Sequence, residues 1–447
     1  MFVSFFPQPK LFFTSAAVWS LAGILFWFFG GEQLGAVIGL PPAAAGTPPI
    51  IGIAVLWSKP FLWFYIYFAA CVAIFYAFWS WYAPHPWQNW SILMTAVILF
   101  FIYFNVQVSV AVNAWYGPFF DYVQGLMSGT GQSTDSEFYI GLADFSWLAL
   151  VGMNVQVVNA FIVSHWIFRW RTAMNNYFIE NWSRLRHIEG ASQRIQEDTM
   201  RFSQIMEDLG SSFVQSIMTL IAFLPVMIQL QAHISELPIV GAIPQPLVVA
   251  ALAWCLFGTV SVMVAGLKLP GLQFRNQRVE AAYRKELVYG EDHAERAQPA
   301  TTAELFANVR HNYFRLYFHY IYFNVVRYTY LQADNIFSLL ILGPSLVAHK
   351  ITFGALNQIS NAFGKVTGSL QFLLTSWSTI VELQSVHKRL RAFEATLQGE
   401  PLPDIDQRYL ARQAPRIRPD PGGPWAAQPP TLPAFDRNAA APHSREN

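Results

Sequence analysis

Charge is scarce in this chain. Lys, Arg, Asp and Glu make up 12% of its 447 residues, about half of the ~25% that a soluble globular domain carries. A water-soluble fold is therefore excluded, and the chain is read as an all-α integral membrane protein. Cysteine is scarcer still. Cys71 and Cys255 both sit in apolar runs, where a small buried hydrophobe is the plain reading, so a disulfide framework and a thiolate metal centre are not expected.

The signatures of several chemistries are missing too. A phosphate-cradling loop needs G-x-x-x-x-G-K-[ST], yet the one Gly-Lys pair, Gly364-Lys365, is followed by Val366 inside an apolar segment, so the chain is expected to carry no ATPase of its own. The ten histidines form no H-E-x-x-H pattern and there is no G-x-S-x-G elbow; no metal, no cofactor and no enzymatic activity are expected. A nucleic-acid partner is likewise not expected, although the formal net charge of +1 by itself says little about partners.

What the chain has in abundance is apolar and aromatic surface: 54% hydrophobic residues, with 38 Phe, 18 Tyr and 16 Trp. A helix crosses the hydrocarbon core with about 20 mostly apolar residues. Candidate spans lie at roughly 11–29, 61–82, 91–113, 138–168, 203–230, 247–268 and 318–348, with a less apolar eighth at 352–383. The first is too long for a secretory h-region and is expected to be an uncleaved span. Basic residues orient the set. Six fall in 167–206 and eight in 268–315, whereas 113–137 and 231–246 have none. Eight spans put every basic segment and both termini in the cytoplasm; seven strand the basic tail outside. Residues 396–447, dense in Pro, Gln, Arg and Ala, read as a disordered cytoplasmic tail.

The eighth span carries a pattern. Asn357, Asn361, Gly364, Gly368, Gln371, Thr375, Ser378 and Glu382 recur with alternating spacings of four and three, which aligns them on one helical face. Two readings fit: a small-residue packing seam, or a wall of a wet cavity, since amides, hydroxyls and a carboxylate are costly against lipid. Glu382 favours the cavity. Other acids cluster near the inner membrane face, among them Glu189, Glu197, Glu207, Glu280 and Glu286. Each is either a solvated partner of the abundant arginines or a desolvated group able to exchange protons.

The strings "NAWYGPFFD" (113–121), "FRWRTAMNNYFIENW" (168–182), "LRHIEGASQRIQEDTMRF" (185–202), "LPGLQFRNQRVEAAYRKELVYGED" (269–292) and "NYFRLYFHYIYFN" (312–324) resemble the SbmA/BacA family of bacterial inner-membrane peptide transporters. The resemblance implies a domain-swapped homodimer whose core is similar to the membrane half of an ABC exporter, without its nucleotide-binding domain. Residues 1–90 then supply two peripheral helices and 91–395 the six-helix core. It implies proton-gradient-driven import of peptides, often cationic, such as proline-rich antimicrobial peptides, microcins or host-defence peptides. Cavity glutamates then bind the protons, and the matching positions are Glu189, Glu197, Glu280, Glu286 and Glu382, with Glu207 in a less typical string. "EAAYRKELVYGED" (280–292) also resembles a charged loop of peroxisomal fatty-acyl ABC transporters. That likeness leaves an alternative open: the membrane subunit of an ATP-driven peptide or fatty-acyl transporter with a separate ATPase. A scaffold or lipid-modifying membrane protein is a third reading, which the polar stripe disfavours.

Overall fold

The computed structural model describes residues 1–43, 50–129, 135–186, 188, 191–231, 234, 237–238, 241, 243–293 and 295–401. Ten long helices account for most of them: α1 (Pro9–Phe26), α2 (Lys59–Tyr82), α3 (Thr95–Ser128), α4 (Asp135–Glu180), α5 (Thr199–Leu230), α6 (Pro246–Gly266), α7 (Leu269–Asp292), α8 (Pro299–Val347), α9 (Phe353–Leu370) and α10 (Phe372–Gln398). No strand occurs among the described residues; Leu237 and Gly241 form one isolated bridge. The fold is all-α, as the composition requires.

The helix ends follow from local chemistry. Proline stands in the first turn of α1, α2, α6, α7 and α8, where its missing N–H costs nothing. The Thr352 hydroxyl accepts from Ala355 N–H at 3.1 Å and caps α9, leaving fewer orphan donors at that terminus. Gly354, in the first turn of α9, lets it approach α3: a Cβ there meets Gly117 O at 1.9 Å.

Among the described residues, six helices are long and apolar enough to cross a membrane: Pro9–Gly31, Lys59–Tyr82, Asn89–Ser128, Ser136–Glu180, Ala191–Leu230 and Pro246–Gln273. These match the first six expected spans. α8 and the α9–α10 pair, which hold the seventh and eighth, are not among them. Several helices exceed one bilayer; α8, with 49 residues, extends about 74 Å at 1.5 Å per residue, so it projects well beyond a ~30 Å core.

Two expectations are corrected in detail. The stretch 280–292, whose resemblance implies a charged loop, lies within the helix α7, because Glu, Ala, Arg and Lys are good helix formers; α7 packs along α8. The eighth span, expected as one helix, is interrupted at Gln371, whose backbone sits at φ −80°, ψ 2°. The ladder survives the interruption, since Gln371 N–H donates to Thr367 O at 2.9 Å and Thr375 N–H to Gln371 O at 3.0 Å.

Packing divides the molecule. α9 is amphipathic and wedges between α3 and α5, burying Ile359, Ala362, Phe363 and Val366 with Phe223, Met227, Leu247 and Leu342. A second core gathers Trp166, Trp170, Met174 and Phe178 of α4, Phe202 of α5, and Leu390 and Phe393 of α10, and Phe5 and Phe6 insert into it. α1 and α2 are attached from the side: Tyr67 Oη donates to Gly23 O at 2.7 Å and Phe64 stacks on Tyr103 at 4.3 Å. Within their apolar windows only 6% and 0% of residues are buried, which leaves most of that surface for lipid.

Candidate functional site

The acids near the α5 and α10 ends are built into ion pairs. Arg201 of α5 grips Glu382 of α10 at two points, Nε to Oε1 at 2.5 Å and Nη2 to Oε2 at 2.8 Å. Two helical turns further along α10, Arg389 holds Asp198 in the same way, at 2.8 and 2.7 Å. The two pairs differ in burial. The side chains of Arg201 and Glu382 are 50% and 40% exposed, whereas that of Asp198 is 3% exposed. The hydrogen bonds to Asp198 hold the Arg389 guanidinium above its ordinary pKa. Arg194 Nη1 closes the cluster by donating to Arg389 O at 2.8 Å.

The remaining predicted acids are dispersed. Glu197 is exposed and accepts from Gln193 Nε2 at 2.9 Å. Glu207 is half-buried and accepts from Ser211 Oγ at 2.6 Å. Glu280 is half-buried on α7. Glu286 accepts from Ala297 N–H at 3.1 Å and pairs with Arg296 at 3.5 Å, so it ties the α7–α8 turn. Glu189 lies outside the described residues.

A polar cleft of about 610 Å³ opens beside the first pair, lined in part by Arg171, Gln193, Glu197, Arg201, Gln204 and Arg284. Glu197 and Arg201, the partner of Glu382, therefore share one space, and two further guanidiniums, Arg171 and Arg284, face it with them. Within one chain the cleft is richer in positive than in negative charge, unlike the carboxylate-lined vestibule that cation attraction calls for.

The polar stripe splits in two. Asn361 turns inward, its Nδ2 donating to Asn113 Oδ1 at 2.8 Å, and Gln371, 4% exposed, donates to Tyr330 Oη at 2.7 Å. These serve packing. Gly364, Gly368, Thr375 and Ser378 are exposed, and a Cβ on either glycine meets nothing within 4 Å. Asn357 is half-buried and bonds its own helix at Phe353 O. The open part of the stripe is thus a face of small and hydroxyl side chains that is exposed among the described residues.

Sequence reasoning counted Asp198 among the inner-face acids expected to pair with arginines, but missed its partner and missed Asp334. That Arg389 is the partner of Asp198 gave no signal, because the partnership spans 191 residues. Asp334 did give one: it is the sole acid between 318 and 348, and Trp254 Nε1 donates to its Oδ1 at 2.6 Å. Among the described residues no group of three His, Cys, Asp or Glu side chains is placed to hold a metal ion.

A multi-pass helical membrane protein with an open polar helix face and ion pairs joining its helices has the makings of a transporter. The family comparison agrees: the SbmA/BacA-like family model matches residues 84–398, and the chain belongs to that family of membrane transporters. Among curated proteins, it is 23% identical over 340 residues to the inner membrane ABC transporter ATP-binding protein YddA of Escherichia coli K12, a match covering 70% of this chain and 58% of that protein. It is 25% identical over 247 residues to an uncharacterized ABC transporter ATP-binding protein of Synechocystis, covering 53% of this chain and 35% of that one. An uncharacterized ABC transporter ATP-binding protein of Haemophilus influenzae is 20% identical over 286 residues, covering 60% and 47%. The chain spans between about a third and three-fifths of the length of these relatives.

Proposed function

We propose that this protein is a proton-gradient-driven importer of peptides, often cationic ones, across a bacterial inner membrane. It works by alternating access as a homodimer, without a cofactor, the proton being the coupling ion. In this reading α8 and α9–α10 supply the seventh and eighth spans, both termini are cytoplasmic, α3 to α10 form an ABC-exporter-like core, and α1 and α2 are peripheral. The observation that carries it is the exposed face formed by Gly364 and Gly368 of α9, a helix otherwise packed in the core, and continued by Thr375 and Ser378 of α10, in a chain of a membrane-transporter family. A polar helix face that avoids lipid suits the wall of a pathway.

The membrane-edge pairs supply a means of coupling. Protonating Glu382 frees Arg201 and weakens the link between α5 and α10; a proton shifts a two-state equilibrium only if it binds the states unequally, and an ion pair made in one state alone meets that condition. The test is uptake of a labelled proline-rich peptide into proteoliposomes under an imposed pH gradient. Uptake that follows the gradient supports import by proton coupling, and uptake indifferent to it removes the gradient from the mechanism.

A second reading draws on the relatives, which are named as ABC transporter ATP-binding proteins. Here the chain is the membrane part of an ATP-driven peptide or fatty-acyl transporter and α7 is the docking surface for a separate ATPase. Loss of uptake on depleting ATP while the proton gradient is clamped favours this second reading.

A further inference from the structure

Asp334 lies on α8, where its Oδ1 accepts the indole N–H of Trp254 at 2.6 Å. The depth of that contact follows from α6. Its 21 residues from Pro246 to Gly266 make a helix of about 32 Å, close to the ~30 Å of the hydrocarbon core. Trp254 stands eight residues from the Pro246 end, about 12 Å in, so where α6 crosses a bilayer the carboxylate it holds lies within the hydrocarbon core. An acid at that depth is costly and calls for a function. Among the described residues, no salt bridge includes Asp334.

Its surroundings connect three elements. Trp254 stacks on Phe337 of α8 at 3.9 Å and lies 5.2 Å from the Tyr330 ring. Tyr330 Oη in turn accepts from the buried amide of Gln371, the residue at which the α9–α10 ladder changes course. Gly258 makes room for this arrangement, since a Cβ there meets Tyr330 Cζ at 2.0 Å. Asp334 bears on two titratable groups, Cys255 of α6 and Tyr330 of its own helix, and the cationic Arg327 stands two turns before it on the same face of α8. From the α9–α10 junction the neutral Gln371 reaches Tyr330. α7 meets α8 around Leu316, Tyr320 and Phe323, well below Asp334.

We propose that Asp334 is a proton-binding carboxylate within the membrane whose ionised form, held by Trp254, locks α6 to α8 beside the Gln371 junction. A proton taken from water forms an O–H bond on the carboxylate and leaves it neutral. The charge-assisted bond from the indole then becomes an ordinary one, about half as strong, and the lock loosens. This inference deepens the proton-coupled reading and rests on it for its role in transport.

The test uses the full-length protein in proteoliposomes, with infrared difference spectra across a pH step and, in parallel, proton and peptide flux. The wild type is expected to show a carboxylic-acid C=O band that Asp334→Asn removes. Asp334→Asn is also expected to lose at least tenfold in gradient-driven uptake while still binding peptide. Trp254→Phe, which keeps the ring and removes the donor, is expected to displace the pH midpoint of the band and serves as the second variant if Asp334→Asn fails to fold. An unchanged band and unchanged uptake in Asp334→Asn, or an unmoved midpoint in Trp254→Phe, overturns the inference and leaves proton-coupled import standing. Absence of proton flux in the wild type defeats the coupling reading instead, and the band then decides separately whether Asp334 binds the proton.

Discussion

Arg201 and Glu382 are 181 residues apart in sequence and meet through two hydrogen bonds, at 2.5 and 2.8 Å. Glu382 therefore ends the polar stripe as one half of an ion pair joining α5 to α10. Both side chains are about half exposed, and solvent-exposed pairs contribute about 0–1 kcal/mol. Glu382→Gln is thus expected to shift thermal unfolding in detergent only slightly while reducing gradient-driven uptake several-fold. Unchanged uptake with unchanged stability leaves the pair a surface contact.

Asp198 and Arg389 behave differently because Asp198 is buried. Removing one member of a buried pair leaves an uncompensated charge and costs about 3–5 kcal/mol. Arg389→Ala is expected to lower the unfolding temperature far more than Glu382→Gln does, measured side by side in the same detergent.

Gly368 distinguishes a packing seam from a pathway wall. A Cβ there meets nothing within 4 Å, so Gly368→Ala is expected to fold at least as well as the wild type, alanine gaining up to ~1 kcal/mol over glycine inside a helix. Gly368→Trp is expected to abolish uptake in a folded, correctly assembled protein. A seam between subunits gives another result: Gly368→Trp then dissociates the dimer, which size-exclusion chromatography with light scattering detects.

His387 on α10 provides a pH signature of stability. Burial pushes its pKa below the ordinary 6.5, against an opposing pull from Glu394, while Arg391 adds to the lowering. A depressed folded-state value means that the unfolded chain takes up the proton first as pH falls. Stability is therefore complete above about pH 6.5 and is lost below it, down to the folded-state pKa. His387→Gln is expected to flatten the fall in unfolding temperature between pH 7 and pH 5.

Much of this architecture is legible in the chain because membrane spans are written in composition. The six most apolar helices need no partner to be recognised, only length and hydropathy. The stripe was legible as well, since a helix repeats its faces regularly, although periodicity alone does not tell that Asn361 and Gln371 turn inward while Gly364 and Gly368 stay open. The division is made by Asn113 and Tyr330, on other helices. Long-range pairs were illegible for the same reason: nothing near Asp198 in sequence points to Arg389. Asp334 was the readable exception, a lone acid in an apolar run passed over in favour of the more numerous acids at the membrane edge.

Simultaneous recording of peptide and proton entry into proteoliposomes holding this protein alone, with no ATP present, tests proton-driven import most directly. A proton-driven importer accumulates labelled proline-rich peptide when the outside is acidified, takes up protons with it, and stops on addition of a protonophore. Accumulation that ignores the protonophore and begins only when ATP and a partner ATPase are supplied contradicts it.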